Sequence, residues 1–351
     1  MSELIEIDGA EGEGGGQIIR SSLALSLVTG KPLRIFNVRG KRKKSGLLAQ
    51  HLTALNAARE VCGAGVTGNV LHSSEFTFAP GPIQTRKFEF KVGTAGSAIL
   101  VAQTVLPALI LADGESTIVV EGGTHNSAAP PFDFLQLSYL PLVEKMGPAF
   151  KCSLERYGFY PAGGGQFSIA IKPVQQLQGL EVNERGDPEP PQVVALVSKL
   201  PRNIGERECD VIRRKFAWRE NQFRVAEIEN SPGPGNAVMI QLPFANVTEV
   251  FTAFGRRGLR SEDVARAACR QAKSFLDSEY VAGEYLADQL LLPMALAAAA
   301  GSISRFTTGP LSGHSITHID VIQRFLDIQV NVNEISQQHF EIELSPGRNN
   351  D

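Results

Sequence analysis

Three pairs of glycines share one spacing in this chain: Gly12 and Gly30, Gly96 and Gly114, and Gly283 and Gly301 each stand 18 residues apart. Within these intervals lie "GQIIRSSLALSLVTG", "GSAILVAQTVLPALILADG" and "GEYLADQLLLPMALAAAAG". Each is an apolar segment of helical composition that closes on Gly or Asp-Gly, as helix C-termini do. A short strand follows each helix: "PLRIFNVRG", "STIVVEGG" and "SISRFTTG". A loop then leads into a second amphipathic helix: "SGLLAQHLTALNAAREV", "PPFDFLQLSYLPLVEKM" and "ITHIDVIQRFL". Alternating strands such as "FEFKV", "QFSIAIK" and "HFEIEL" come after. The expected unit is strand, helix, strand, helix, strand, strand, present three times. One such unit cannot bury its apolar face alone, so three copies must share a core.

The intervals between units are unequal. Gly12 to Gly96 is 84 residues and Gly96 to Gly283 is 187, so about a hundred residues are inserted inside or just after the second unit. The segment from Arg185 to Ser278 fits. It opens on the turn-rich "RGDPEPPQ" and continues as strand ("VVALVSKL"), charged helix ("IGERECDVIRRKFAWR"), strands ("RVAEIE", "AVMIQL") and helix ("SEDVARAACRQAKSFL"). The expected organisation is an α+β protein: a large domain of three βαβαββ repeats, residues 1–184 and 279–351, with a small inserted α+β domain at 185–278.

Composition narrows the class. At 351 residues with 43% hydrophobic content there is ample material for two cores, and a net charge of −3 advertises no global polyanion-binding field. The four cysteines are scattered without a CxxC, as expected of free thiols in a reducing compartment. The opening "MSELIEIDGAEGEGGGQ" is acidic and Gly-rich, unlike a secretory signal. The longest apolar run, "LLLPMALAAAAG", is shorter than the ~20 residues that span a bilayer. The expectation is a cytoplasmic protein with no membrane partner.

Equivalent loops of repeated units are placed to converge on one site. The strand-to-second-helix loops are "VRGKRKKSG", "EGGTHNSAAPP" and "TTGPLSGHSITH". The first holds Arg39, Lys41, Arg42, Lys43 and Lys44 ahead of a helix N-terminus, where free N–H groups and the helix dipole favour an anion. Alternatively it is a solvated basic loop. "EGEGGGQIIR" lets the backbone approach a phosphate or simply turn tightly; it lacks the Lys-Ser/Thr of a P-loop and the spacing of a dinucleotide fingerprint. Arg20 follows on the helix, and Glu13 offers a hard oxygen suited to Mg²⁺ or Mn²⁺.

His314 and His318 stand four apart where the third loop meets its helix. That spacing fits half a metal site, a nucleophile with a bystander, or two loop histidines. No Glu lies between them, as the zinc-protease pattern requires. Ser315 or Thr317 reads as the helix N-cap, placing His314 ahead of the helix and His318 in its first turn.

Taken together, "GEGGGQIIR", "RGKRKKSGLLAQH", "GSAILVAQTVLPAL", "EGGTHNSAAPPFDF", "GFYPAGGG", "GEYLADQLLLPMAL" and "LSGHSITHIDVIQRFL" resemble the RNA 3′-terminal phosphate cyclases, from about Ile7 to about Leu344. The resemblance implies an enolpyruvyl-transferase-like three-repeat domain and an insert similar to the C-terminal domain of a translation initiation factor. It implies ATP and RNA with a 3′-terminal phosphate as partners, with Mg²⁺ or Mn²⁺ as cofactor. The implied reaction passes through a histidine-AMP intermediate and an RNA-pp-A end to a 2′,3′-cyclic phosphate.

Carried onto this sequence, His314 is the nucleophile. Gln103, Pro130, Tyr285, Asp288, Gln289 and, from the insert, Phe251 match nucleotide contacts. Phe251 also reads as a core residue. Arg20, Arg39, Arg42 and Gln50 match residues around the phosphates, and Glu13 a metal-linked acid. His318 departs from the family, which commonly has Asn there; a hydrogen-bonding imidazole is expected to be tolerated. Two rivals share parts of the pattern. One is a non-catalytic cyclase-like RNA-binding protein of ribosomal RNA processing, which lacks the nucleophilic histidine. The other is an enolpyruvyl transferase, in which the insert and the histidine block have no role.

Overall fold

The structure is a computed structural model that describes residues 3–127 and 129–347. In the first unit, β1 (Ile5–Asp8), α1 (Gly16–Thr29), β2 (Leu33–Phe36), α2 (Ala49–Cys62), β3 (Gly65–Thr67) and β4 (Phe76–Ala79) follow in order. Their sheet runs β1-β2-β4-β3, with β1 parallel to β2 and the other pairs antiparallel.

The second unit comprises β5 (Lys87–Lys91), α3 (Ala98–Leu109), β6 (Ser116–Gly122), then α4 (Phe132–Phe134) passing through a π-helical stretch (Leu135–Tyr139) into α5 (Leu140–Glu144), and β7 (Ala149–Arg156) and β8 (Gly165–Lys172). Its order, β5-β6-β8-β7, repeats the first, again with one parallel pair. The segment "FEFKV" therefore opens this unit and does not close the one before it. Phe88 and Phe90 on β5 turn inward while Lys87, Glu89 and Lys91 face solvent, so each sheet covers the helices with one face.

A two-residue strand, β9 (Glu181–Val182), is the first strand of the third unit. It pairs in parallel with a strand more than a hundred residues later. Between them lie β10 (Gln192–Ser198), α6 (Asn203–Phe216), β11 (Phe223–Glu227), β12 (Gly235–Pro243), β13 (Thr248–Phe254) and α7 (Ser261–Leu276), which build a separate sheet ordered β11-β10-β12-β13. The inserted residues thus split the third unit after its first strand instead of lying inside the second. The unit resumes with α8 (Glu284–Ala299), β14 (Ser304–Thr308), α9 (Gly313–Phe325), β15 (Ile328–Ser336) and β16 (His339–Pro346), giving the order β9-β14-β16-β15.

Two cores result. The larger gathers residues of all three units around α1, α3 and α8, which are buried nearly all round. The smaller lies between the insert's sheet and its helices, with Val193, Ala195, Phe251, Val264 and Phe275. On β10, Val194 and Leu196 point the other way and join the large core. A sheet buried on both faces explains why "VVALVS" reads as a continuous apolar run.

The repeated glycines do not all act alike. Gly30 takes a left-handed conformation, φ 68°, and caps α1, whereas α3 ends at Leu109, ahead of Gly114. Gly301, φ 95°, follows the last turn of α8.

Candidate active site

The Gly-rich loop ends at Gly15, the N-cap of α1, which offers no side chain to the first N–H groups of that helix. Three side chains close over the glycines instead. A Cβ on Gly15 would lie 3.1 Å from Arg42 Nη2, and one on Gly16 would lie 2.4 Å from His51 Nε2 and 2.9 Å from Arg20 Nη1. Gly12, at φ +48°, passes so close to α9 that a Cβ would overlap Thr317 Oγ1. Thr317 Oγ1 accepts from the Glu13 N–H at 3.2 Å and donates to the Gly313 carbonyl at 2.8 Å. The loop of unit one is thereby fastened to the helix of unit three that carries the histidines.

That helix starts earlier than its sequence indicates. Ser312 is the N-cap, its side chain accepting from the Ser315 N–H at 3.2 Å, so neither Ser315 nor Thr317 caps it. His314 consequently sits in the first turn, exposed, and His318 one turn further in, buried. Gly313 beside His314 faces Glu13: a Cβ there would lie 2.6 Å from Glu13 Oε1. Glu13 Oε2 accepts from Arg42 Nη2 at 3.2 Å, a half-exposed pair.

Behind them, Asp288 on α8 is buried and accepts from Gln17 Nε2 at 3.2 Å on each oxygen and from Gln289 Nε2 at 3.1 Å. Gln17 Oε1 in turn accepts from Arg20 Nη2 at 3.1 Å. His318 Nδ1 lies 3.1 Å from the Asp288 carbonyl oxygen and 3.4 Å from its Oδ1. Burial works to raise the Asp288 carboxyl, but the hydrogen-bonded His318, then Arg20 and His314, outweigh it and hold it below the usual range. The same burial pulls the Arg20 guanidinium down to about 10, with Asp288 opposing.

His51 was not singled out by its sequence context, where it resembles any helix residue. Its buried Nδ1 accepts from the Leu48 N–H at 3.2 Å. Burial, then the nearby Arg20 and Arg39, push its imidazole down to about 3. Only its contact with Gly16 would have revealed it.

The remaining residues divide. Arg39, at φ 55°, turns its guanidinium onto the Lys44 and Gly46 carbonyls and so braces its own loop. Gln50 Oε1 accepts from the Ser97 N–H at 3.0 Å, tying α2 to the start of α3. The Gln103 amide is buried without a protein partner, Tyr285 is exposed on α8 three residues before Asp288, and Pro130 is half-buried in its loop. Phe251 does not join them. Its ring lies 5.4 Å from that of Phe275 in the insert's own core, because β13 directs this position at α7. Among the described residues no group of three or more His, Cys, Asp or Glu is placed to hold a metal, so Glu13 stands as a single carboxylate.

The family model described as RNA 3′-terminal phosphate cyclase matches residues 11–332. This chain belongs to the RNA 3′-terminal phosphate cyclase family. A cyclase of that name from Koribacter versatilis is 49% identical over 94% of this chain and 92% of its own. Those from Salmonella agona and Pseudomonas fluorescens are 44% identical, over 95% and 97% of this chain and 95% and 98% of theirs. Among solved structures, the enolpyruvyl transferase NikO from Streptomyces tendae aligns over 99% of this cyclase-family chain and 49% of its own at 12% identity, with a TM-score of 0.37, too slight a likeness to bear on fold or chemistry. No helix among the described residues is long and apolar enough to cross a membrane.

Proposed function

We propose that this chain converts an RNA 3′-terminal phosphate to a 2′,3′-cyclic phosphate at the expense of ATP, with His314 as nucleophile. One observation carries the reading: an exposed imidazole in the first turn of α9, next to Gly313, which faces Glu13, and within the field of buried Asp288. Imidazole is a competent nucleophile near neutral pH. Its nitrogen attacks the α-phosphorus of ATP, forming an N–P bond and expelling pyrophosphate. A terminal phosphate oxygen of the RNA then takes the AMP, giving RNA-pp-A and freeing the imidazole. The adjacent 2′-hydroxyl attacks the activated 3′-phosphorus, loses its proton and expels AMP. Proximity within one ribose makes the last step intramolecular.

Phosphoryl transfer asks mainly for positioning and charge neutralisation. The free N–H groups opening α1 and α9, with Arg20 and Arg42, supply both; Arg39 and Gln50 keep the surrounding loops in register. Asp288 serves the reacting imidazole through its charge and, as a nucleotide contact, borders the same space. Gln103, Pro130, Tyr285 and Gln289 border the nucleotide. A Mg²⁺ or Mn²⁺ ion bound with ATP offsets phosphate charge. Glu13 is the side chain that would hold it, which fits an ion that takes one carboxylate and draws its other ligands from phosphates and water. The catalytic body comprises residues 1–184 and 279–351, with 185–278 as an inserted domain and the cytoplasm as the compartment.

The test uses purified protein, α-labelled ATP and a divalent metal, run beside His314→Ala. The expected outcome is an acid-labile label on wild type, absent from the variant, with thermal unfolding unchanged. Label retained by His314→Ala refutes the assignment. Unlabelled wild type that still binds RNA selects the rival reading, a non-catalytic cyclase-like RNA-binding protein.

A further inference from the structure

Where the first helices of the three units meet, they line a small, partly open cavity of about 40 Å³, with Gln17 and Arg20 of α1, Gln103 of α3 and Gln289 of α8, and Tyr139 and His318 from the second helices of units two and three. It lies behind Asp288, which both Gln17 and Gln289 touch. Two side chains have unmet hydrogen-bonding capacity there: Gln103, at both amide atoms, and His318, at Nε2. Buried polar groups are rarely left so, since each costs about 1–3 kcal/mol.

The geometry fixes which nitrogen of His318 carries the proton. Nδ1 faces only acceptors, the Asp288 carbonyl oxygen at 3.1 Å and its Oδ1 at 3.4 Å, so Nδ1 must donate. In the neutral imidazole Nε2 then presents a lone pair to the cavity, whose lining also holds the unpartnered Gln103 amide. A group that both donates and accepts completes the set. The volume exceeds the ~10–15 Å³ that one water needs, and the polar partners number more than the two to four it uses.

We propose that His318 is a positioning residue: its Nδ1–H fixes Asp288, and its Nε2, with the Gln103 amide, holds a buried water at the junction of the three units. This rests on Asp288 serving His314 as described above. Asn at position 318 reproduces the Nδ1–H donor with its amide but has nothing at Nε2; Leu has neither.

Single-turnover labelling by α-labelled ATP, measured for wild type, His318→Leu and His318→Asn, separates these parts. The expected result is a rate about 10- to 100-fold lower for His318→Leu, the range seen when a group that orients a reacting residue is lost. The concentration of ATP giving half-maximal rate should stay within about threefold, and His318→Asn should recover most of the rate. Wild-type rate in His318→Leu, equal loss in both variants, or a change confined to half-saturation would each overturn the proposal. Nitrogen-15 NMR of the wild-type imidazole decides it should the variants fail to fold or the wild type prove inert with ATP. A proton on Nδ1 with a hydrogen-bonded, unprotonated Nε2 supports it, and a proton on Nε2 overturns it. An inert wild type with the expected tautomer would discard the adenylylation reading while keeping the His318–Asp288–water arrangement.

Discussion

The central helices α1, α3 and α8 and the insert's helices α6 and α7 follow opposite rules. On α6 and α7 one face is apolar and the other is charged and wet, and the charges pair locally: Arg202 with Glu206 at 3.0 Å, and Lys273 with Asp277 at 2.7 Å. Such exposed pairs contribute little. The central helices have no wet face over most of their length, so Gln17, Arg20, Gln103, Asp288 and Gln289 must satisfy one another or enclosed solvent. Polarity at the rim is interchangeable. At the centre the bonds chain together, Arg20 to Gln17 within unit one and Gln17 across to Asp288 of unit three, so one loss reaches the next.

The contrast can be broken at the centre first. Asp288→Ala would strand Gln17 and Gln289 and leave Arg20 without its counter-charge; we expect a loss of about 3–5 kcal/mol in urea unfolding, as for other broken buried pairs. Gly16→Ala should cost about 1–3 kcal/mol, because the His51 ring it would strike is pinned by the Leu48 N–H. A calorimetric series with pH tests His51 itself. Its folded value of about 3 lies below the ordinary 6.5, so its contribution is complete above 6.5 and is lost as pH falls toward 3. The slope it adds is at most about 1.4 kcal/mol per pH unit, and His51→Gln should flatten the curve in that window. Lys273→Ala on α7 should change stability by less than about 0.5 kcal/mol. An effect there as large as at Asp288 would erase the distinction.

Much of this was legible in advance. Glycine spacing exposed the three units because a turn or close approach constrains backbone, and backbone constraints survive when side chains diverge. Glu13, Arg20, Arg42 and His314 stood out because charged or nucleophilic groups cluster at loops beside helix starts, whereas Asp288 entered only through the family resemblance. The start of α9 was misread by three to five residues: Ser312, Ser315 and Thr317 can all cap, and only geometry selects among them. The strand β13 went unread because Val250 and Phe251 are both buried, on opposite faces, which hides the alternation of a half-wet strand. His51 and the Gln103 cavity depend on contacts between units, which no local pattern encodes.

The bond from the Gly283 N–H to Glu249 Oε1, at 2.6 Å, and the short β9 just ahead of the insertion have a mechanical meaning. The inserted residues leave the chain at the doorstep of α8 and return to it at the helix that bears Asp288. Glu249 is buried, and that burial raises its carboxyl to about 7 against the opposing N–H bonds of Gly283 and Val250 and the field of Arg185. The insert is therefore fastened to α8 at its N-cap. A disturbance of the insert at Glu249 is expected to reach the N-terminus of α8 through this bond.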